Sequence, residues 1–293
     1  MFGLPKRIKR TQGKYALVDG IPFKMPVDAV ESPAFMAVFP IDAEQAATFL
    51  PRNVHPLRLW KKALLVVTVI DYRHTTIGKY VEYSIAIACT HGNKPAPPLL
   101  PALLPDVFNM GQYVLDLPVS SEISVKGGKG IWGMPKHQAQ LNFNISEDKV
   151  SSQYDLDGQL VAYVEIDKPA KARLPVKMKA SNYCSFRGML MKSDIFLDNK
   201  AGINLFSKAR ARFVIGEHPR LQTLKQLNIG APLATVFLPA IHGTLDDRIE
   251  SWFLDFDELP KQTPEGMESV VNLGLGESWL PPPTAPVPAE DEQ

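Results

Sequence analysis

Cysteine is nearly missing from this chain. Cys89 and Cys184 are too few for a disulfide framework or a metal cage of their own, and such sparse use points to a reducing compartment. An excess of either charge is missing too: 32 basic against 31 acidic residues leave a net charge of +1, which argues against a nucleic-acid-binding or membrane-surface role. No apolar run approaches a membrane span, since the longest candidate, residues 95–108, is broken by prolines. The basic segment at residues 1–15 leads into no apolar stretch, so no signal peptide is read and a cytoplasmic location is expected. The Asn144-Ile145-Ser146 sequon then carries no meaning.

Several chemical signatures are absent as well. Residues 127–130, GGKG, are too short for a Walker loop and lack a Ser or Thr after the lysine. No G-x-G-x-x-G opens a helix, and there is no G-x-S-x-G elbow. The six histidines show no ligand spacing, and aromatic and basic residues do not interleave as an RNA platform requires. The expectation is therefore no metal, no cofactor, no nucleic acid and no membrane partner, with a small molecule as ligand.

What remains is an ordinary globular composition, 45% apolar and 22% charged over 293 residues. Residues 1–30 read as an irregular arm with a basic cluster at Lys6, Arg7, Lys9 and Arg10. Residues 31–258 carry the domain, and 259–293 form an extended Pro-rich tail with an acidic end. Within the domain, strands are expected at 33–39, 64–71, 80–90, 139–145, 150–156, 160–166, 178–186, 188–197, 209–215, 233–238 and 248–256. Asp42 looks like the N-cap of a short helix ended by Pro51. Asp157-Gly158 marks a tight hairpin, residues 168–177 a connection, and 218–227 a helix with Leu221, Leu224 and Leu227 three apart. Residues 93–110, rich in proline and leucine, form a long loop suited to a lid or a subunit contact. Many strands, few helices and no βαβ alternation point to an α+β fold, mainly antiparallel β, of barrel or sandwich type.

The sequence reads as organised around residues 113–141. Here a buried-strand pattern over 119–125 gives way to a glycine loop bearing Lys126 and Lys129, then to Trp132-Gly133-Met134-Pro135-Lys136. The ordinary reading of lysines in such a loop is a solvated turn. The chemical reading is an amine beside apolar walls, where desolvation lowers its pKa and lets it attack a carbonyl. Glu82 stands in an otherwise apolar strand. It either faces solvent or is paired or protonated inside.

These pieces, in this order, resemble the acetoacetate decarboxylase family. The likeness runs from Ser32 to Pro51 and through the strand pair with Tyr80-Val81-Glu82. It is clearest from Tyr113 to Glu122 with Gly133-Met134-Pro135-Lys136, and it returns at Leu221-Gln222 and at Pro232-Leu233 to Leu238-Pro239. The resemblance implies an acetoacetate-decarboxylase-like β-barrel around an apolar cavity, usually a homo-oligomer, in which a lysine forms a Schiff base with a β-keto acid. The family's adjacent lysine pair falls on Gly130 and Ile131, with Lys129 one residue away. Its substrate arginine falls near Ser32, and its second carboxylate near Val67 or Thr68. The resemblance thus implies Lys129 and Glu82 as catalytic residues and Tyr80, Lys126, Trp132 and Met134 as substrate contacts, for a lyase whose carbonyl substrate is larger and more apolar than acetoacetate. Two alternatives stand beside it: acid/base chemistry by Glu82 without an imine, and a non-catalytic barrel holding an apolar molecule.

Overall fold

The computed structural model describes residues 6, 8, 13–169, 172 and 174–254, with only the backbone at 247. In chain order the strands are β1 (Lys14–Val18), β2 (Ile21–Met25), β3 (Val27–Asp42), β4 (Val54–Pro56), β5 (Lys62–Tyr72), β6 (His74–Thr75), β7 (Tyr80–His91), β8 (Gly111–Val119), β9 (Lys136–Gln138), β10 (Gln140–Leu141), β11 (Asn144–Ile145), β12 (Lys149–Leu156), β13 (Gln159–Asp167), β14 (Leu174–Phe186), β15 (Met189–Leu205), β16 (Ala211–Ile215) and β17 (Ala234–Phe253). The helices are α1 (Ala43–Thr48), α2 (Leu100–Leu103) and α3 (Glu122–Trp132), with 3-10 turns at Phe206–Lys208 and Pro219–Leu227.

Strands β7, β5, β3, β17, β15, β14 and β8 are hydrogen-bonded in that order, and β8 pairs back onto β7. The sheet thus closes into a seven-stranded barrel, the mainly antiparallel fold expected from the strand pattern. Only β8 with β14, and β8 with the short β9, run parallel. Closure removes the free edges that a long open sheet would expose.

The two faces of the wall have different partners. Outward residues of β3, β5 and β7, such as Phe35, Leu65, Val67, Tyr83 and Ile85, are covered by a second sheet of β10, β12, β13 and β16. Inward residues of six strands, Val27, Ala86, Val114, Cys184, Met191 and Leu245 among them, pack around Trp132 of α3, and Tyr72 of β5 packs with Tyr80, Val119 and Val125 in a neighbouring cluster. Two buried clusters that between them draw on every strand of a closed sheet mark its lumen. This explains why β5 is apolar on both faces: each side of it is buried.

Several local expectations hold. Asp42 caps α1 by accepting from the amides of Glu44 and Gln45. Asp157 and Gly158, both at positive φ, make the two-residue turn between β12 and β13. Others are corrected. Residues 14–25 form a hairpin, and β3 starts at Val27, where an irregular arm was expected. Of the connection expected at 168–177, residues 174–177 belong to β14. The expected strands at 233–238 and 248–256 fall, over residues 234–238 and 248–253, in one strand, β17, whose register slips around Pro239, and residues 255–256 lie outside the described residues. Leucines three apart at 221–227 suit a 3-10 helix, whose period is three, so all three are buried on one side. The Pro-rich tail lies outside the described residues.

Candidate active site

The largest revision falls on the central stretch. Residues 122–132 form helix α3; there is neither a strand at 119–125 nor a glycine loop. Its buried positions, Ser124, Val125, Gly128, Lys129 and Trp132, follow helical spacing, and Gly133 ends it in the left-handed conformation. Three glycines in eleven residues are poor helix formers. Here each is a point of close approach. A methyl at Gly127 would stand 2.6 Å from the Phe23 ring, one at Gly130 would collide with Val18, and one at Gly128 would meet the Lys136 side chain, 2.6 Å from Cε. Phe23 and Val18 belong to the β1–β2 hairpin, which covers the helix, and Lys126 ties to that hairpin through Asp19 at 3.4 Å.

The Gly128 window admits Lys136. The side chain enters the lumen from β9, and its Nζ lies 2.7 Å from Oε2 of Glu82 on β7. It also donates to Ser124 Oγ at 3.0 Å and sits 5.3 Å from the centre of the Tyr80 ring. Tyr72 donates to the other carboxylate oxygen, Oε1, at 3.4 Å and stacks on Tyr80 with ring centres 4.5 Å apart. Both members of the pair are largely shielded, with side-chain exposures of 8% for Lys136 and 14% for Glu82. Burial works against the Lys136 ammonium, but the carboxylate of Glu82 outweighs it and raises the lysine pKa above its ordinary value. Burial also raises the phenols, Tyr80 to about 12 and Tyr72 well above its usual value. Both therefore remain hydrogen-bond donors at neutral pH. The arrangement is an ammonium, a carboxylate and two phenols inside an apolar wall, a set able to move protons around a bound carbonyl.

Each residue expected at the site has a definite place. Glu82 and Tyr80 face the lumen beside Lys136. Lys129 is buried on α3, while the amine that meets Glu82 belongs to Lys136. Lys126 serves the hairpin. Trp132 and Met134 are buried in the lumen cluster, and the Trp132 indole N–H donates to the Asp246 carbonyl at 3.0 Å. Replacing Trp132 by Phe keeps an aromatic ring but removes this buried donor, so a loss of about 1–3 kcal/mol is expected in urea unfolding. Ser32, at the position of the family's arginine, is fully buried and engaged with backbone: it donates to the Val30 carbonyl and accepts from the Arg73 amide. Sequence reading missed Lys136, Ser124 and Tyr72 as site residues. The signal for Tyr72 was its cross-strand pairing with Tyr80.

A solvent-open cleft of about 630 Å³, lined by Ser120, Gln138, Asp155 and Asp157 among others, runs along the second sheet. Neither Glu82 nor Lys136 lines it, and Asp157 is largely exposed, so it lacks the desolvation that distinguishes the lumen pair. Among the described residues, no three His, Cys, Asp or Glu side chains converge as a metal site requires. No helix among them is long and apolar enough to cross a membrane.

Comparison with known proteins bears on the fold and the family. No curated protein matches the chain. Among solved structures, one described as acetoacetate decarboxylase superposes with a TM-score of 0.61 at 14% identity, covering 79% of this chain and 91% of that one. The enzyme of that name from Legionella pneumophila gives 0.55 at 13% identity, covering 75% and 84%. The enduracididine biosynthesis enzyme MppR, complexed with pyruvate, gives 0.51 at 12% identity, covering 78% and 90%. At these identities the likeness shows the fold. The family itself is shown by sequence: residues 10–189 match the model for acetoacetate decarboxylase, and the chain belongs to that family.

Proposed function

We propose that the protein is a carbon–carbon lyase that processes a keto acid or related carbonyl compound through an imine on Lys136. The observation that carries this is the 2.7 Å contact between Lys136 Nζ and Glu82 inside the lumen of this family's barrel. The nucleophile is assigned to Lys136 and not to the expected Lys129 because Lys136 Nζ lies 2.7 Å from the Glu82 carboxylate in the lumen. In the proposed sequence, the ammonium passes a proton to Glu82, and the free amine adds to the carbonyl carbon. The carbinolamine then loses water, with Glu82 returning the proton to the departing hydroxyl. With a β-keto acid, the iminium takes up the electron pair of the carbon–carboxylate bond as CO2 leaves. The enamine takes a proton at carbon from water, and hydrolysis of the resulting iminium releases the ketone and Lys136. Because the lysine pKa is raised, imine formation should accelerate as pH rises into the alkaline range.

Three features bear on the substrate. A neutral Ser32 provides no clamp for a small carboxylate. Trp132 and Met134, apolar and buried in the lumen cluster, favour a larger, less polar body than acetoacetate. A neighbour of the same fold was obtained with pyruvate, which supports an oxo compound as ligand. Leu103 and Val107 of the Pro-rich loop are largely exposed in the single chain, which supports the reading of this loop as a contact in a homo-oligomer.

Treatment with pyruvate or acetoacetate and borohydride, followed by peptide mass analysis, tests the imine. A reduced adduct on Lys136 is expected. An adduct on Lys129 would move the nucleophile there. The raised lysine pKa favours one second reading, in which Lys136 stays charged, stabilises an enolate and leaves Glu82 as base. Turnover that borohydride does not stop but Glu82→Gln does would select it.

A further inference from the structure

Strand β9 sends one side chain to each side of the barrel wall. Lys136 enters the lumen, and His137 enters a second, partly buried cluster outside it. There Tyr154 donates to Asp116 Oδ2 at 3.1 Å, and Arg220 Nε donates to Oδ1 at 2.9 Å. His137 touches both partners, with Nε2 at 2.9 Å from the Tyr154 hydroxyl and Nδ1 at 3.0 Å from Arg220 Nη2. Asp116 faces this way because of a bulge. Ala86 pairs with Val114 but Ile85 with Asp116, so Leu115 is an extra residue and Asp116 turns to the outer face.

Donor accounting fixes the proton on the imidazole. A guanidinium only donates, so Nδ1 accepts. The Tyr154 proton is committed to Asp116, so the phenol oxygen accepts from Nε2–H. His137 is therefore held neutral, as the Nε2–H tautomer. A proton on Nδ1 would face the Arg220 guanidinium, and the group able to receive it is Asp116 Oδ1, 3.6 Å away. The titratable and charged groups packed around the cluster include Asp116 from β8, Tyr154 from β12, Tyr83 from β7, Arg220 from the 3-10 helix and His218, which caps that helix. Asp157 of the hairpin turn stands 3.6 Å from His218. Strand β9 is also held by its pairing with β8, by Gln138 donating to the Ser120 carbonyl at 3.2 Å and by Lys136 itself. It is three residues long and pairs with β8, where Pro118, which has no N–H, stands opposite His137.

We propose that the His137, Asp116, Arg220 and Tyr154 cluster is a positioning unit for Lys136. While His137 is neutral it seats β9 and keeps the ammonium on Glu82; protonation of His137 trades Arg220 for Asp116 and releases the strand. The consequence for turnover rests on Lys136 being the reactive amine, but the seating of that amine does not.

Trace acetylation with acetic anhydride tests it without substrate, using exposed Lys94 as internal reference. In the wild type the ratio of Lys136 to Lys94 labelling should rise about tenfold between about pH 8 and about pH 5. His137→Gln preserves one donor and one acceptor but does not titrate, so its ratio should stay at the low value throughout. A flat wild-type profile, or the same rise in the variant, overturns the proposal. If the variant does not fold, nitrogen-15 shifts of His137 in the wild type decide. An Nδ1–H or doubly protonated ring at neutral pH, or a labelling change that does not follow the His137 titration, overturns it. None of these readouts uses an imine, so a failed borohydride trap and a failed seating test are separate results.

Discussion

Lys136→Met should lower the unfolding free energy by about 3–5 kcal/mol, because it leaves the Glu82 carboxylate buried beside Tyr72 without its counter-charge. Glu82→Gln should cost a similar amount by stranding the ammonium. The double variant Lys136→Met with Glu82→Gln should recover most of that loss, since no charge is then buried. All three should be inactive and give no Lys136 adduct. Urea unfolding at constant slope measures the first effect, and borohydride trapping the second. The cycle separates two roles that a single substitution confuses: stability should return in the double variant while chemistry should not. A single variant as stable as the wild type would show that the pair is solvated, and a double variant that still turns over would remove it from the mechanism. The pH dependence has a definite sign. The folded lysine pKa is raised, so the pair's contribution is complete below the unfolded lysine value of about 10.4 and is lost as pH rises through the higher folded value.

Gly128→Ala should reduce the rate of imine formation about a hundredfold while leaving stability almost unchanged. Two effects oppose each other in stability. Alanine favours the helix by about 1 kcal/mol, whereas the new methyl stands 2.6 Å from Lys136 Cε and 3.1 Å from Nζ. The end of a lysine moves easily, so the overlap is relieved by displacing the amine. The shift leaves Nζ close enough to Glu82 for the two charges to stay paired, but a shift of about 1 Å in a reacting group costs on the order of a hundredfold in rate. A thermal midpoint within a few degrees, together with a collapsed trapping rate, is the expected pair of results. An unimpaired trapping rate would mean that Lys136 has room to spare and that the glycine serves only packing.

The barrel was legible where one residue type decides the matter. Leu64 to Asp71 is nearly all apolar because both faces of β5 are covered, and Asp157-Gly158 names its own turn. Helix α3 was not legible. Its glycines argue for a loop when read alone, and the reason they are tolerated lies in Val18, Phe23 and Lys136, residues from other parts of the chain. Lys136 was visible in sequence only as the end of a family landmark. Nothing in residues 133–136 says which side of the wall that lysine takes, since on a strand one position decides the face. The bulge at Leu115 hides Asp116 in the same way, because alternation along β8 places it in the lumen until the extra residue is counted.

The glycine-bearing helix also has a consequence for biosynthesis. Asp19 and Lys126 are 107 positions apart, so the hairpin leaves the ribosome long before the segment it covers. Until then Phe23 and Val18 have no surface to rest on. The weak helix, once made, in turn has little reason to persist without them. Assembly of the reactive centre is thus a late, long-range event in the maturation of the nascent polypeptide, and such closures are slow and exposed to misassociation.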